Sequence, residues 1–122
     1  MSDGSESLEG GQLNAAIARE IVSLMAQYTG RGPTRSRAFV HDDMVVCLLE
    51  QGMTKGETKL IDAGEEETVN TMRATFQRVM EDELVAAVER LTGRTVLSFM
   101  SANDASTDTA AEIFVVQPAE ER

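Results

Sequence analysis

The first third of the chain has the apolar spacing of an amphipathic helix. From Leu13 onward, apolar side chains recur in steps of three and four residues, which places them on one helical face. Their positions are Ile17, Ile21, Leu24, Met25 and Tyr28. Gly30 is predicted to end the helix as a left-handed cap. Pro33 prevents a restart and favours an extended conformation at Gly32.

Two strand patterns follow this helix. The segment Arg35 to His41 alternates, so that residues 35, 37, 39 and 41 share one face of a strand. The segment Met44 to Glu50 is almost wholly apolar, which predicts a central strand covered on both faces. Asp42 and Asp43 are predicted to form the turn that joins the two strands as a hairpin.

The second half repeats the order of elements after a short inserted helix. Thr54 and Glu57 match a capping box, which predicts a short helix ending near Ala63. A long helix is predicted over residues 65–91, and two further strands over 94–101 and 109–117. The apolar stripe expected on the long helix consists of Val69, Met72, Phe76, Val79, Met80, Leu84, Ala87, Val88 and Leu91.

These elements predict an α+β fold of two layers in the order helix, strand, strand, helix, strand, strand. The expected architecture is a four-stranded antiparallel sheet with the helices packed on one face. Because the strand Met44 to Glu50 is apolar on both sides, the other face is expected to be buried in a homodimer. Thr29-Gly30-Arg31 and Thr92-Gly93-Arg94 occupy matching places. This internal similarity has two possible explanations. It reflects a duplicated unit, or it is a chance match of a common helix ending.

The length of 122 residues suits one domain, expected over residues 12–118. Residues 1–11 are acidic and rich in Gly and Ser, which predicts a disordered tail, and 119–122 form a second short tail. The net charge of −10 repels phosphate backbones and anionic lipids, so we expect no nucleic-acid partner. The small basic cluster at Arg31, Arg35 and Arg37 is too short for a duplex-binding stripe.

The chain is expected to act in the cytoplasm. Its one cysteine, Cys47, excludes an internal disulfide and fits a reducing compartment. The N-terminal residues lack the basic start and apolar run of a signal peptide. The longest apolar run, Met44 to Leu49, is far shorter than the ~20 residues of a membrane helix, so we expect no direct membrane insertion.

The segment from Gly30 to Arg37 is the strongest candidate for a ligand-binding or partner-binding site. Arginine forks suit carboxylate, carbonate or phosphate oxygens, and glycine lets a ligand approach the backbone. The alternative is that these arginines pair with the chain's own carboxylates, such as Asp42 or Asp43. The candidate residues are Arg31, Gly32, Pro33, Thr34, Arg35 and Arg37, with His41 and Asp43 farther along the chain.

Other residues with chemical potential give weaker signals. His41 and Asp43 could act as acid and base or bind a metal, although a plain turn before a buried strand fits them as well. Cys47 lies in the most apolar strand, where a thiol is inert. Asp104, Asp108 and Glu112 are spaced four residues apart, but they lack the spacing of a calcium loop. The sequence has no glycine-rich phosphate loop, nucleophile elbow or zinc motif, so no catalytic residue, metal or cofactor is assigned.

The chain resembles the MpsC-like family from about residue 13 to 118. The resemblance rests on the run Tyr28 to Thr34, on Arg37 and on the run His41 to Val46. It continues in the second half at Leu91 to Arg94, Phe99 to Ser101, Asp104 and Glu112 to Pro118. These positions make Arg31, Pro33, Arg37 and Asp43 members of the family's densest motif. Arg94, Asp104 and Glu112 fall in its second motif.

The resemblance implies a role in a sodium-translocating system that generates membrane potential and is associated with bicarbonate supply. It implies a non-catalytic accessory or regulatory subunit that binds a membrane transport subunit, peripheral to the inner face of the membrane. The alternative is a module that binds or senses a small anion, such as bicarbonate, phosphate or a nucleotide, through residues 31–37. An enzyme using His41 and Asp43 is the third hypothesis, and it requires both side chains to meet in a pocket.

Overall fold

The computed structural model describes residues 8–119 and has the predicted architecture. It contains three helices and one four-stranded antiparallel sheet in the order β1-β2-β4-β3. The elements are α1 (Gly10–Thr29), β1 (Arg35–His41), β2 (Met44–Glu50), α2 (Lys55–Asp62), α3 (Glu66–Thr92), β3 (Val96–Asp104) and β4 (Thr109–Val116). The α+β fold with its helices packed on the sheet is therefore confirmed.

The predicted ends of the helices have the expected local chemistry. Gly30 and Gly93 end α1 and α3 with φ angles of 81° and 70°, a left-handed conformation that glycine adopts without strain. The Thr54 hydroxyl accepts from the Glu57 amide, and the Glu57 carboxylate accepts from the Thr54 amide. The capping box at α2 is therefore present.

The core lies between the helices and one face of the sheet. Val45, Cys47 and Leu49 of β2 and Phe114 and Val116 of β4 are buried on this face. The helices contribute buried apolar residues from both α1 and α3. These are Ile17, Ala18, Ile21, Leu24, Met25, Met80, Leu84, Ala87 and Val88.

Two sequence-based expectations differ from the structure. Val79 was assigned to the apolar stripe of α3, but it is 60% exposed, whereas the polar Gln77 is buried. The face of α3 that meets the sheet is therefore rotated toward Arg73 and Gln77. Helix α1 begins at Gly10, so residues 10 and 11 of the expected disordered tail are helical. Residues 1–7 of that tail and 120–122 of the other lie outside the described residues.

Among residues 8–119 of one chain, the helices cover only one side of the sheet. The helices lie over the face that carries Val45, Cys47 and Leu49, and Val46 and Leu48 point to the other side. We call that other side the open face. It is formed by odd-numbered residues of β1 and β4 and by even-numbered residues of β2 and, from Ser98 onward, of β3. The sequence-based expectation that both faces of β2 are buried, the second one in a homodimer, therefore stays a prediction.

Candidate functional site

A small cavity opens between the end of α1, the middle of α3 and the sheet. Its volume is about 70 Å³, enough for a few water molecules or an ion of similar size. Apolar side chains form much of its wall, and the polar and charged lining includes Arg31, Glu57, Arg73, Gln77 and Asn103. The apolar part of the wall consists of Met25, Pro33, Leu49, Phe76, Met80 and Ala110.

The predicted arginine segment contributes its first half to this cavity. Arg31 and Pro33 line it, and Arg31 Nη2 donates to the Gln51 carbonyl oxygen at 3.4 Å. The Thr34 hydroxyl donates to the Gln51 side-chain oxygen at 2.8 Å. Because the contact of Arg31 with Gln51 is long and leaves most of its donors free, the guanidinium can still bind an anion at the cavity.

The glycine in this segment serves the fold. A Cβ atom on Gly32 would lie 3.1 Å from Val22 Cγ1 and 3.1 Å from the Val22 carbonyl oxygen. Glycine at position 32 therefore lets the loop pack closely against α1. The space left by its missing side chain is filled by that helix, so it offers no approach for a ligand.

The second half of the segment lies on the open face of the sheet. Arg35 and Arg37 both approach Glu50 of β2, with N–O distances of 3.8 and 3.9 Å. Both arginines remain mostly exposed, and such long, solvated pairs contribute little to stability. The three arginines of residues 31–37 therefore do not converge, because Arg31 lies in the loop before β1, whereas Arg35 and Arg37 are two residues apart on the strand and share its open face.

His41 and Asp43 lie at the far end of the first hairpin. The turn brings His41 Nε2 to 3.3 Å from Asp42 Oδ2, but the two side chains are 81% and 82% exposed. Neither His41 nor Asp43 lines the cavity beside Arg31. Acid–base chemistry there would take place in open solvent, where the two groups gain no enclosed pocket for a substrate.

An ion-pair network next to the cavity joins α2, α3 and the turn between β3 and β4. Arg73 Nε donates to Glu57 at 3.2 Å, and Arg73 Nη2 donates to Asp108 at 2.9 Å. The Arg73 side chain is only 13% exposed. The other oxygen of Asp108 accepts from the Met53 amide at 3.1 Å. The network holds the inserted helix α2 against α3 and sets one wall of the cavity.

Glu112 is fully buried on the helix-facing side of β4. It accepts hydrogen bonds of 2.5 Å from Gln77 Nε2 and from the Ser101 hydroxyl, and Asn103 in turn donates to the Gln77 side-chain oxygen. Burial raises the pKa of Glu112 to about 7, although the bonds from Ser101 and Gln77 oppose the rise. Gln77 and Asn103 connect this buried carboxyl to the cavity wall.

Cys47 lies directly opposite Glu112 in the β2–β4 register. Burial raises the pKa of its thiol to about 12, and the nearby Glu112 adds to the rise. The prediction of an inert thiol agrees with this environment, since the thiolate is the nucleophilic form.

The remaining candidates occupy separate places. Arg94 Nη1 donates to the carbonyl oxygens of Asp42 at 2.8 Å and Gln117 at 3.2 Å. Asp104 is exposed, and hydrogen bonds from Ser106 lower the pKa of its carboxyl group. Within residues 8–119, no three His, Cys, Asp or Glu side chains meet in a way that could hold a metal ion.

Sequence reasoning missed Arg73, Gln77 and Glu57. A usable signal was present in α3, because Val69, Arg73, Gln77 and Met80 follow one another in steps of four, four and three. Polar residues at these positions on a buried helical face indicate a buried polar site. The apolar residues Met72, Phe76 and Val79 masked this signal because they repeat at helical spacing too.

The open face is the second candidate surface. Phe39, Met44 and Met100 are 53%, 44% and 48% exposed there. Val46 and Ile113 lie between them and are partly buried by their neighbours on the same face. The result is a continuous apolar area across all four strands.

Comparison with known proteins gives one match. The family model described as "Na+-translocating membrane potential-generating system (MpsC)" matches residues 9–118. Neither a curated protein nor a solved structure matches the chain. No helix in the described part of the chain is long and apolar enough to cross a membrane. The family match spans every helix and strand described above, and the chain therefore belongs to the MpsC family.

Proposed function

We propose that the chain is a non-catalytic accessory or regulatory component of a sodium- and bicarbonate-linked membrane transport system, and that it acts by binding protein. The family description supplies the link to Na+ translocation and membrane potential. The observation that carries the binding role is the open face. In this proposal the chain works in the cytoplasm and reaches the inner face of the membrane through a protein partner.

The open face supports a protein-binding role because of its contrast with the rest of the chain. The chain carries 21 acidic and 11 basic residues, whereas the centre of the open face is formed by Phe39, Val46, Ile113 and Met100. A continuous exposed apolar area on a strongly charged protein is typical of a surface that another protein covers. Burying these side chains against a partner would contribute a favourable free energy of about 25 cal/mol for each Å² of apolar surface removed from water.

A deletion and complementation experiment tests the proposed function. The gene is deleted in its native host, and sodium-dependent membrane potential is followed with a potentiometric dye. We expect the potential to fall, wild type and Val79→Glu to restore it, and Ile113→Glu to fail. Val79 is the matched control because it is an exposed apolar residue on the outer side of α3. An unchanged potential in the deletion strain would refute the membrane role.

A small-anion site is the second candidate function, favoured by the guanidiniums of Arg31 and Arg73 in the cavity wall. The cavity volume favours bicarbonate or phosphate over a nucleotide. Arg73 already pairs with Glu57 and Asp108, so Arg31 is the main anion-binding group in this hypothesis. Glu57 lowers the net positive charge of the wall, and weak binding is therefore expected.

Thermal unfolding in the presence of bicarbonate, phosphate or acetate tests this second candidate. An anion at 100 times its dissociation constant should add about 2.7 kcal/mol of stability. Arg31→Ala should abolish the increase, and Arg19→Ala, which removes an exposed arginine of α1, should preserve it. A panel in which no anion raises the melting temperature of the wild type would exclude an anion site of useful affinity.

A further inference from the structure

We infer that the open face is covered by a second copy of this chain, related by a two-fold axis that runs parallel to the strands. This inference rests on the proposed function in taking the open face as a protein-binding surface. It assigns that surface to self-association, so that the membrane-system partner binds the dimer at another surface. In this arrangement β1 of one copy lies over β3 of the other and β2 lies over β4. The result is an eight-stranded sandwich whose two cavities both face outward.

The charges on the open face favour self-association. Arg35 and Arg37 provide two positive charges, and Glu50 and Asp104 provide two negative charges. The charged strand residues of this face therefore sum to zero, whereas the whole chain has a net charge of −10. Two open faces can approach each other without the repulsion that the rest of the surface would impose.

The positions of these charges select the orientation. The strand registers place Arg35, Glu50, Thr109 and Asp104 in one row across the sheet. A two-fold axis parallel to the strands exchanges the two ends of this row, so that Arg35 of each copy faces Asp104 of the other. An axis perpendicular to the strands would instead place Arg35 opposite His41 of the second copy, beside the acidic turn at Asp42 and Asp43, but it would place Asp104 opposite the uncharged Ser98. Only the axis parallel to the strands therefore pairs both charges within the sheet.

The apolar row fits the same orientation. Phe39, Val46, Ile113 and Met100 form the row that crosses the middle of the face. In the proposed dimer Phe39 packs on Met100 of the second copy, and Val46 packs on Ile113. Aligned sheets pack face to face about 10 Å apart and twist by roughly 30°, a spacing that these side chains fill.

The size of the face sets the strength of the dimer. Four strands of about seven residues give roughly 450 Å² of flat area per copy at ordinary strand spacing and rise. Two copies then bury about 900 Å² of flat area, near the lower end of specific interfaces. The side chains that protrude from each sheet add to this area. We therefore expect a dimer that forms and dissociates with concentration.

Sedimentation velocity from roughly 1 to 200 μM tests the dimer. Wild type and the control Val79→Glu should shift from one to two times 13.3 kDa, and Ile113→Glu should stay monomeric. Circular dichroism confirms that each variant is folded. A wild type that stays monomeric throughout, or a folded Ile113→Glu that still dimerises, would overturn the inference, the latter by pointing to another surface such as the β3 edge.

A charge exchange tests the orientation and does not depend on the central variant. Arg35→Glu alone and Asp104→Lys alone should each weaken self-association roughly tenfold by placing like charges opposite each other. Mixing the two variants should restore dimerisation, because each contact in the heterodimer again joins opposite charges. Within one chain the two positions are three strands apart, roughly 14 Å, so the restoration has to act between copies. No restoration on mixing would refute this orientation.

Failure of the dimer and failure of the proposed function have different outcomes. A wild type that is monomeric in solution but restores sodium-dependent potential refutes the second copy and keeps the membrane role. If instead the charge exchange shows the dimer, but deletion of the gene leaves the membrane potential unchanged, the second copy is kept and the membrane role is refuted.

Discussion

The two halves of the molecule share a framework and differ in what it encloses. The units α1-β1-β2 and α3-β3-β4 meet at the antiparallel pair β2–β4, which places Cys47 opposite Glu112 at the centre. Because the strand order β1-β2-β4-β3 is symmetric about this pair, the two residues occupy matching places in the two halves. In the first half this position is the inert thiol of Cys47. In the second half it is the carboxyl group of Glu112, which accepts hydrogen bonds from Gln77 and Ser101.

The ends of the two long helices show the same contrast. Thr29 and Thr92 each donate to the carbonyl oxygen four residues earlier, and each accepts from the amide of the arginine two residues later. Arg94 then donates to two carbonyl oxygens, whereas Arg31 makes one long contact and faces the cavity. The common parts build the scaffold, and the candidate site lies where the halves differ.

Making the two central positions alike should have the largest effect. Cys47→Glu would place a second carboxyl opposite Glu112 with no partner of its own. We expect a loss of at least about 4 kcal/mol in the free energy of unfolding, since an unpaired buried charge is among the most costly substitutions. Urea denaturation at pH 7 measures it. The control Cys47→Val should lose less than about 1.5 kcal/mol, and equal losses would show that charge is not the cause.

Removing the ion-pair bridge around Arg73, which joins the second half to the inserted helix α2, should have the next largest effect. Arg73→Met leaves Glu57 and Asp108 without their cation, and we expect a loss of about 3 kcal/mol. Arg78→Met, which changes an exposed arginine of the same helix, should change stability by less than about 0.5 kcal/mol. Urea denaturation of both variants checks the difference, and similar losses would contradict a stabilising role for the bridge.

The pH dependence of stability should distinguish Glu112 from the other carboxyl groups. Burial raises its pKa from 4.5 to about 7 in the folded state, so the folded protein binds the proton more tightly than the unfolded chain. The resulting contribution of Glu112 to the free energy of unfolding, about 3 kcal/mol, is fully present below pH 4.5 and is lost as the pH rises through 7. Glu112→Gln should flatten the decline between pH 5 and 8, and Glu81→Gln, at an exposed position, should preserve it. Parallel profiles for wild type and Glu112→Gln would contradict the assignment.

The two glycine caps should respond equally. Gly30→Ala and Gly93→Ala each force a side chain into left-handed backbone, and no atom lies within 4 Å of the added Cβ in either case. We expect each to lower the free energy of unfolding by about 1 kcal/mol. Thermal unfolding measures both, and a clear inequality would show that the two helix ends are less alike than their hydrogen bonds indicate.

The two arginines after the caps should show the smallest effect and an unequal one. Arg94→Ala removes two hydrogen bonds to carbonyl oxygens and should cost about 1 kcal/mol. Arg31→Ala removes one long contact of an exposed residue and should cost less than about 0.5 kcal/mol. Thermal unfolding of the two variants without added anions checks the order. If Arg31→Ala were the more destabilising, Arg31 would belong to the scaffold and not to a binding site.

The fold could be predicted from the sequence because its signals are local. The alternation of residues 35–41 and the turn at Asp42 and Asp43 gave the bounds of β1 and β2 as the structure has them. The helix ends at Gly30 and Gly93 and the capping box at Thr54 depend on backbone chemistry within a few residues. Such interactions join residues that are close in sequence, so their pattern does not depend on where distant parts of the chain lie.

The candidate site depended on contacts between distant residues. The start of β1 at Arg35 separates the three arginines. Arg31 lies before the strand and faces the cavity, whereas Arg35 and Arg37 lie on the open face. The phase of α3 against the sheet buried Gln77 and exposed Val79, although both fit a helical repeat. Arg73 finds Asp108 35 residues away. The sequence by itself determined the elements, their order and the family motifs; only tertiary packing decided which polar groups meet, because burial and pairing depend on neighbours that local periodicity does not specify.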